Sequence, residues 1–260
     1  MGVIESVKKG FSVAAKSMNV VSILFVFGLA WNLVNIFFFP DPQSTTPPST
    51  QQTIVIVAAG LVFILLTIFM QGGSMGYVRD LVKQGSASLD SFKSSGGKYY
   101  LRLLAVGLIV GVIIGVVVLG AAVIVALVKD RSQVIAITGV IAALLLVSAG
   151  IYAILLMFFA PYIVVADEKK AIEAIKASVA TVRNHILKVV GIFVVLVLIG
   201  FLVGVVIGAL YALASVAIKG KAAQIIFAVL SSFVNAFLGL LVTGAFMHFY
   251  LAISNPNNNS

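Results

Sequence analysis

The residues best suited to acid–base or metal chemistry are concentrated in one charged stretch, PYIVVADEKKAIEAIKASVATVRNHILKVVG, at 161–191. It holds three of the eight acidic residues, five of the seventeen lysines and arginines, and one of the two histidines. Asp167 and Glu168 are adjacent and would point in different directions on a helix, and His185 follows about five turns later. No HExxH or comparable ligand spacing is present. We therefore predict no catalytic, cofactor-binding or metal-binding residue, and no enzymatic activity.

The surrounding composition is that of a membrane protein. The chain is 62% hydrophobic and 10% charged, with a mean hydropathy of +1.20. A soluble domain needs far more polar surface than this composition supplies. The net charge of +9 is interpreted as membrane topology and lipid contact, with anionic headgroups as partners. Nucleic-acid binding is not expected, because the basic segments lack interleaved stacking aromatics. Protein partners are not indicated.

Six apolar runs predict an all-α, polytopic integral membrane protein with six transmembrane helices. The runs are too long and too uniformly apolar for barrel strands. The first is interpreted as a retained span, because it ends in Phe-Phe-Phe-Pro and not at a small-residue cleavage site. Residues 1–252 are assigned to a single transmembrane domain, and 253–260 to a disordered polar tail. The predicted spans are 20–39, 54–76, 101–128, 133–160, 187–217 and 222–251.

Lysine and arginine counts predict the orientation of the spans. The N-terminal segment holds three, and the connections at 77–102 and 161–188 hold five each. The connections at 40–53, 129–132 and 218–221 hold none, two and two. By the positive-inside rule, both termini and the long basic connections are cytoplasmic. We expect the cytoplasmic membrane of a prokaryote, with the Pro-rich loop PDPQSTTPPST at 40–50 facing outward.

A threefold internal repeat is also predicted, each unit being an amphipathic cytoplasmic-surface helix followed by two spans. Two of these surface segments carry apolar residues at spacings of 3, 4, 3 and 4, which places them on one helical face. The middle segment, 78–95, is looser, and we expect breaks at Gly85 and at Gly96-Gly97. The apolar positions are Ile4, Val7, Phe11, Ala14 and Met18 in the first segment, and Ile172, Ile175, Val179, Val182 and Ile186 in the third.

The spans themselves show matched features. Spans three and five carry a glycine at every fourth position, which predicts smooth grooves for helix packing; Gly28 and Asn32 form a weaker version in span one. The even spans end alike, in FMQGGSMGYV, MFFAPYIVVA and LVTGAFMHFY, with a small or helix-breaking residue before aromatics. The glycines in question are Gly107, Gly111, Gly115, Gly200, Gly204 and Gly208.

The remaining polar residues define the candidate contact sites. Asn32, Asn35, Gln71 and Asn235 lie within spans, where they either hydrogen-bond between helices or line a polar pocket for a lipid headgroup or small solute. His248, near the end of span six, is either a hydrogen-bonding or aromatic-belt residue, or one that ligates a metal or carries protons. In the charged stretch, Asp167 is expected to be an N-cap, with Lys169–Glu173 and Glu173–Lys176 pairs behind it. The candidate anionic-lipid contacts there are Lys169, Lys170, Lys176 and Arg183.

The stretch FFAPYIVVADEKKAIEAIKASVATVRNHILKVVG resembles a pattern in six-helix prokaryotic membrane proteins, among them the membrane domain fused to some glycerophosphodiester phosphodiesterases. The shared elements are an apolar helix ending near proline, an acidic start, an Ala/Ser-rich amphipathic segment and the next span. DSFKSSGGKYYLRLL resembles the same segment of an earlier repeat. No phosphodiesterase domain is evident, so the resemblance implies no catalytic residue. We expect a non-enzymatic structural, lipid-interacting or accessory membrane protein; the alternative is a transporter or channel-like protein for a lipid or small amphiphile.

Overall fold

A computed structural model describes residues 2–39, 49–129, 131–218 and 220–254, without the side chains of residues 215–217. This part of the chain is all-α, and six helical segments in it are long and apolar enough to cross a membrane. The helices are α1 (Val3–Lys16), α2 (Met18–Phe38), α3 (Thr50–Gln84), α4 (Leu89–Val128), α5 (Gln133–Met157), α6 (Ala160–Ala166), α7 (Ala171–Asn184), α8 (Ile186–Ala217) and α9 (Lys221–Ser254). The six segments of membrane-spanning length are α2, α3, α4, α5 together with α6, α8 and α9.

The second predicted surface segment is not a separate helix. The break expected at Gly85 is confirmed, because Gly85 ends α3 with a φ of 76°, a left-handed conformation that glycine adopts without steric cost. The break expected at Gly96-Gly97 is wrong, because α4 runs through both residues. A Cβ at Gly96 would lie 2.8 Å from the Phe69 ring. Glycine at this position therefore lets α3 and α4 approach closely and does not interrupt the helix.

The start of α7 also differs from the prediction. Asp167 follows the end of α6, and α7 begins after Lys170, which caps it without a side-chain hydrogen bond. Glu168 takes a positive φ of 56°, and its carbonyl oxygen accepts a hydrogen bond of 2.6 Å from Arg102 Nη1. This turn keeps Asp167 and Lys169 outside the helix, where they form an ion pair of 3.6 Å with each other. The predicted helix pairs with Glu173 are not formed within the described residues.

The chain divides into two compact units. The first comprises the described parts of Met1–Tyr100 and Leu187–Ser260, in which α1, α2, α3 and α8 pack on α9. Its core includes Phe249, Met247 and Leu240 of α9. The predicted tail begins too early, because α9 continues to Ser254. Residues 40–48 of the Pro-rich loop and 255–260 of the tail lie outside the described residues.

The second unit is Leu101–Ile186. Here α5 packs along α4, with Gly150 against Val117 and Gly120 against Leu146. The short α6 and the end of α5 cover one side of α7, and Phe159 is fully buried at this contact. The assignment of residues 1–252 to one transmembrane domain stays a prediction.

Candidate functional site

Helix α1 packs on α9 through its smallest residues. Gly10 is the eighth residue of α1, and a Cβ there would lie 2.5 Å from the Leu241 carbonyl oxygen and 2.7 Å from the Ala245 amide nitrogen. A Cβ at Gly244 would in turn lie 3.1 Å from Gly10 Cα. The two backbones therefore touch at this crossing, where Gly10 leaves no room for a Cβ.

The predicted apolar positions of α1 lie mostly on its outer side. Ile4 is 66% exposed and Phe11 56% exposed, whereas Ala14 is buried against the chain. The buried face consists of small residues because α9 lies so close to it. Large apolar side chains on the outside of a helix that borders a membrane span are suited to contact with lipid.

Helix α7 packs on α5 and α6 through a serine. Ser178, the eighth residue of α7, is fully buried. Its hydroxyl donates to the Leu156 carbonyl oxygen at 2.8 Å and accepts from the Phe159 amide at 3.1 Å. Those two backbone groups lie where the span is interrupted before Pro161, which lacks an amide hydrogen and cannot continue the helical pattern. Ser178 thus satisfies polar groups that the broken helix leaves in an apolar environment.

The opposite side of α7 carries the predicted lipid contacts. Lys170, Lys176 and Arg183 are exposed, and Lys169 is half-buried beside Asp167. Ile172 is 63% exposed on the same helix. We call Lys176 and Arg183 of α7, together with Lys169 and Lys170 just before its start, the basic face of α7. It combines positive charge with an exposed apolar side chain, the combination that anionic membrane surfaces attract.

The four span amides are not brought together. Asn32 Nδ2 donates to Ser232 Oγ at 2.8 Å and so links α2 to α9. Asn35 donates to the Trp31 carbonyl oxygen of its own helix at 2.7 Å. Gln71 and Asn235 are exposed on the outside of α3 and α9. Of the four amides, Asn32 therefore forms a hydrogen bond between helices. The four do not line a common polar cavity in the described structure.

His248 lies in the last turns of α9, half-buried. It lies about one turn beyond Gly244 and Ala245, the α9 residues that Gly10 of α1 contacts. Among the described residues, no group of three or more His, Asp or Glu side chains is arranged to hold a metal ion. Asp167, Glu168 and His185 accordingly do not form one.

The predicted glycine grooves have no neighbour within the described chain. Nothing described lies within 4 Å of a Cβ built at any of the six positions on α4 and α8. Apart from the half-buried Gly115, these positions are exposed, and no described helix of the same unit packs against them. The weaker row predicted in span one does lie at a contact, because a Cβ built at Gly28 would be 3.8 Å from Ser232 Cβ. The six unpacked positions are Gly107, Gly111, Gly115, Gly200, Gly204 and Gly208.

One polar network was not expected from the sequence. Arg79 Nε donates to Asp80 at 2.7 Å, and Arg79 Nη1 donates to the Tyr99 hydroxyl at 2.5 Å. Ser91 donates to the second Asp80 oxygen at 2.7 Å. The network joins the end of α3 to the start of α4. An adjacent Arg-Asp pair at the end of an apolar helix is the signal that could have indicated it, because charges at such a boundary need partners.

The described structure is thus an all-α chain whose six longest apolar segments are of membrane-spanning length, with two further helices, α1 on α9 and α7 on α5 and α6. The chain belongs to the family described as a domain of unknown function, DUF7847, whose model matches residues 1–253. No curated protein matches the sequence. No solved structure matches it either.

Proposed function

We propose that this protein is a non-enzymatic membrane protein of the prokaryotic cytoplasmic membrane that binds anionic lipid headgroups on the cytoplasmic side. The basic face of α7 is the main contact, and α1 is a second amphipathic helix, whose lysines favour the cytoplasmic side by the positive-inside rule. The role is structural or accessory, in keeping with the resemblance to membrane domains that accompany phosphodiesterases.

The observation that carries this proposal is the division of α7 into two sides. Ser178 and its neighbours Ala174 and Val182 are buried, and the hydrogen bonds of Ser178 hold this side of α7 against the end of α5 and α6. The fixed orientation leaves Lys170 and Lys176 exposed together with Ile172. A helix held this way inserts its apolar side chain at the headgroup boundary while its ammonium groups meet phosphate.

The charge distribution along the chain supports the cytoplasmic assignment. The segments that contain α1, the α3–α4 connection and α7 hold three, five and five lysines and arginines. Cytoplasmic leaflets carry the anionic lipids that attract such segments, at about 1 kcal/mol for each basic residue near the surface. The side of the membrane on which the positive-inside rule places the basic segments is therefore also the side with anionic headgroups.

The test is lipid retention by the purified chain. The variant with Lys169, Lys170 and Lys176 changed to glutamine is reconstituted with phosphatidylglycerol and phosphatidylcholine, and retained lipid is measured by mass spectrometry. At about 1 kcal/mol for each lysine, or roughly fivefold, we expect the enrichment of phosphatidylglycerol to fall at least fivefold. The matched control changes Lys129, Arg131 and Lys221 to glutamine, because these three cations are predicted on the other side. Equal enrichment in wild type and the α7 variant would refute the proposal.

A further inference from the structure

The first unit contains an elongated apolar groove between α1, α8 and α9, which we call the α1–α8–α9 groove. Its volume is 450 Å³. Phe11 of α1, Ile199 and Val203 of α8, and Phe233, Phe237 and Leu241 of α9 line it. Lys8 of α1 is the charged residue in its lining.

The groove follows the axis of α9. Its α9 residues run from Phe233 to Leu241, which is about 12 Å at about 1.5 Å per residue. Phe11 and Phe237 meet edge to face, with ring centroids 5.5 Å apart, at the α1 end. The lining other than Lys8 is apolar, so water in the groove would find few hydrogen-bond partners.

A lipid acyl chain is an apolar object that can lie along α9 in a groove of this length and lining.

Lys8 lines the groove through its carbon chain, and its ammonium group is the positive charge next to the groove. The neighbouring Lys9 forms an ion pair of 3.2 Å with Glu5. Lys8 is exposed and has no ion pair among the residues the structure describes. An ammonium group beside an apolar groove complements a ligand that carries a negative group at the end of a hydrocarbon chain.

We propose that the α1–α8–α9 groove binds one acyl chain of an anionic phospholipid, with the phosphate group against the Lys8 ammonium. This inference rests on the proposed function, since it assumes an anionic leaflet beside α1. It goes further by naming a discrete site, on a different unit from the basic face of α7, at which a single lipid is held by shape as well as by charge.

The experiment uses the full chain in phosphatidylcholine nanodiscs that contain a trace of phospholipid with a diazirine in one acyl chain. The probe carries either a phosphatidylglycerol or a phosphatidylcholine headgroup, and labelled peptides are mapped by mass spectrometry. We expect the anionic probe to label the α9 segment 233–241 about fivefold more than the neutral probe, the effect of one basic contact. Lys8→Gln should reduce anionic labelling to the neutral level, and Val203→Trp should block labelling there by both probes.

Matched controls separate the groove from general effects. Lys16→Gln removes a charge from α1 outside the groove, and Val205→Trp enlarges an exposed residue of α8 outside it. Both should leave labelling unchanged. Lys8 is exposed, so its substitution should fold even if Val203→Trp does not, and gel filtration checks each variant.

Three results would overturn the inference. They are equal labelling by both headgroups, labelling of 233–241 that Val203→Trp does not change in folded protein, and anionic labelling that Lys8→Gln does not reduce. Each leaves the proposed function intact if the basic face of α7 still enriches phosphatidylglycerol. Groove labelling as expected, with normal enrichment by the α7 glutamine variant, would refute the proposed role of α7 alone.

Discussion

Helices α1 and α7 solve the same packing task with different chemistry. Each is 14 residues long, and each is joined to the following span by a single residue, Ser17 or His185. The eighth residue of each is central to its contact with the end of another span. In α1 this residue is Gly10, and in α7 it is Ser178.

The difference follows from the span on which each helix packs. Helix α9 is continuous through Gly244, so its backbone groups are hydrogen-bonded internally and α1 needs only space. The span under α7 is interrupted before Pro161, so backbone groups there need a partner. Small residues and hydrogen-bonding side chains are the two means by which helices associate in lipid, and the α1 contact uses the first whereas the α7 contact uses the second.

The largest effect is expected from filling the space at Gly10. Gly10→Leu places its Cβ within 2.8 Å of three α9 atoms, two of them backbone atoms that cannot rotate away. We expect a loss of about 3 kcal/mol or more in the free energy of unfolding, at or above the upper end of the usual overpacking range of about 1–3 kcal/mol. Denaturant unfolding of the purified protein in mild detergent measures it.

Gly204→Leu is the matched control for this substitution. It changes glycine to the same residue on a helix where no described atom lies within 4 Å. Its expected effect is within about 0.5 kcal/mol, as for surface substitutions. If Gly204→Leu destabilised the protein as much as Gly10→Leu, the glycines of α8 would have a packing partner. The contrast between Gly10 and Gly204 would then fail.

The intermediate effect is expected at Ser178. Ser178→Ala leaves the Leu156 carbonyl oxygen and the Phe159 amide without their buried partner, at a cost of about 1–3 kcal/mol in the free energy of unfolding. Ser148→Ala is the control, because Ser148 is exposed and donates only to the Leu144 carbonyl oxygen of its own helix. The same unfolding measurement applies. Equal stability of the two variants would mean that the hydrogen bonds of Ser178 do not stabilise the α7 contact.

The existence of the spans could be predicted from the sequence, whereas their packing could not. Long apolar runs require helix in a membrane, and the predicted spans correspond to helices that are long and apolar enough to cross one. Which helix lies beside which is not encoded in such runs, since lipid and helix surfaces are equally apolar. Regular glycine spacing therefore predicted contacts at Gly107 and Gly204 that the described chain does not form.

The local chemistry at helix ends was predicted only in part. Gly85 ended α3 as expected, because glycine alone takes its conformation freely. Asp167 did not cap α7, since the left-handed turn at Glu168 moves the helix start three residues along. The basic residues of α7 could be identified from charge alone. Their exposure depends on the burial of Ser178, which hydrogen-bonds to the interrupted span beside it. The threefold repeat and the amphipathic surface helices stay predictions.

The smallest effect is expected where the first unit itself uses a hydrogen bond. Asn32 and Ser232 join α2 to α9 beside Gly28, so space and hydrogen bonding act at one contact. A double-mutant cycle of Asn32→Ala and Ser232→Ala should give a coupling of about 0.6 kcal/mol, the average for such bonds between membrane helices. Asn35→Ala combined with Ser232→Ala is the control and should show no coupling, since Asn35 bonds within α2. A coupling as large as the Ser178 effect would mean that hydrogen bonds between helices stabilise the two units alike.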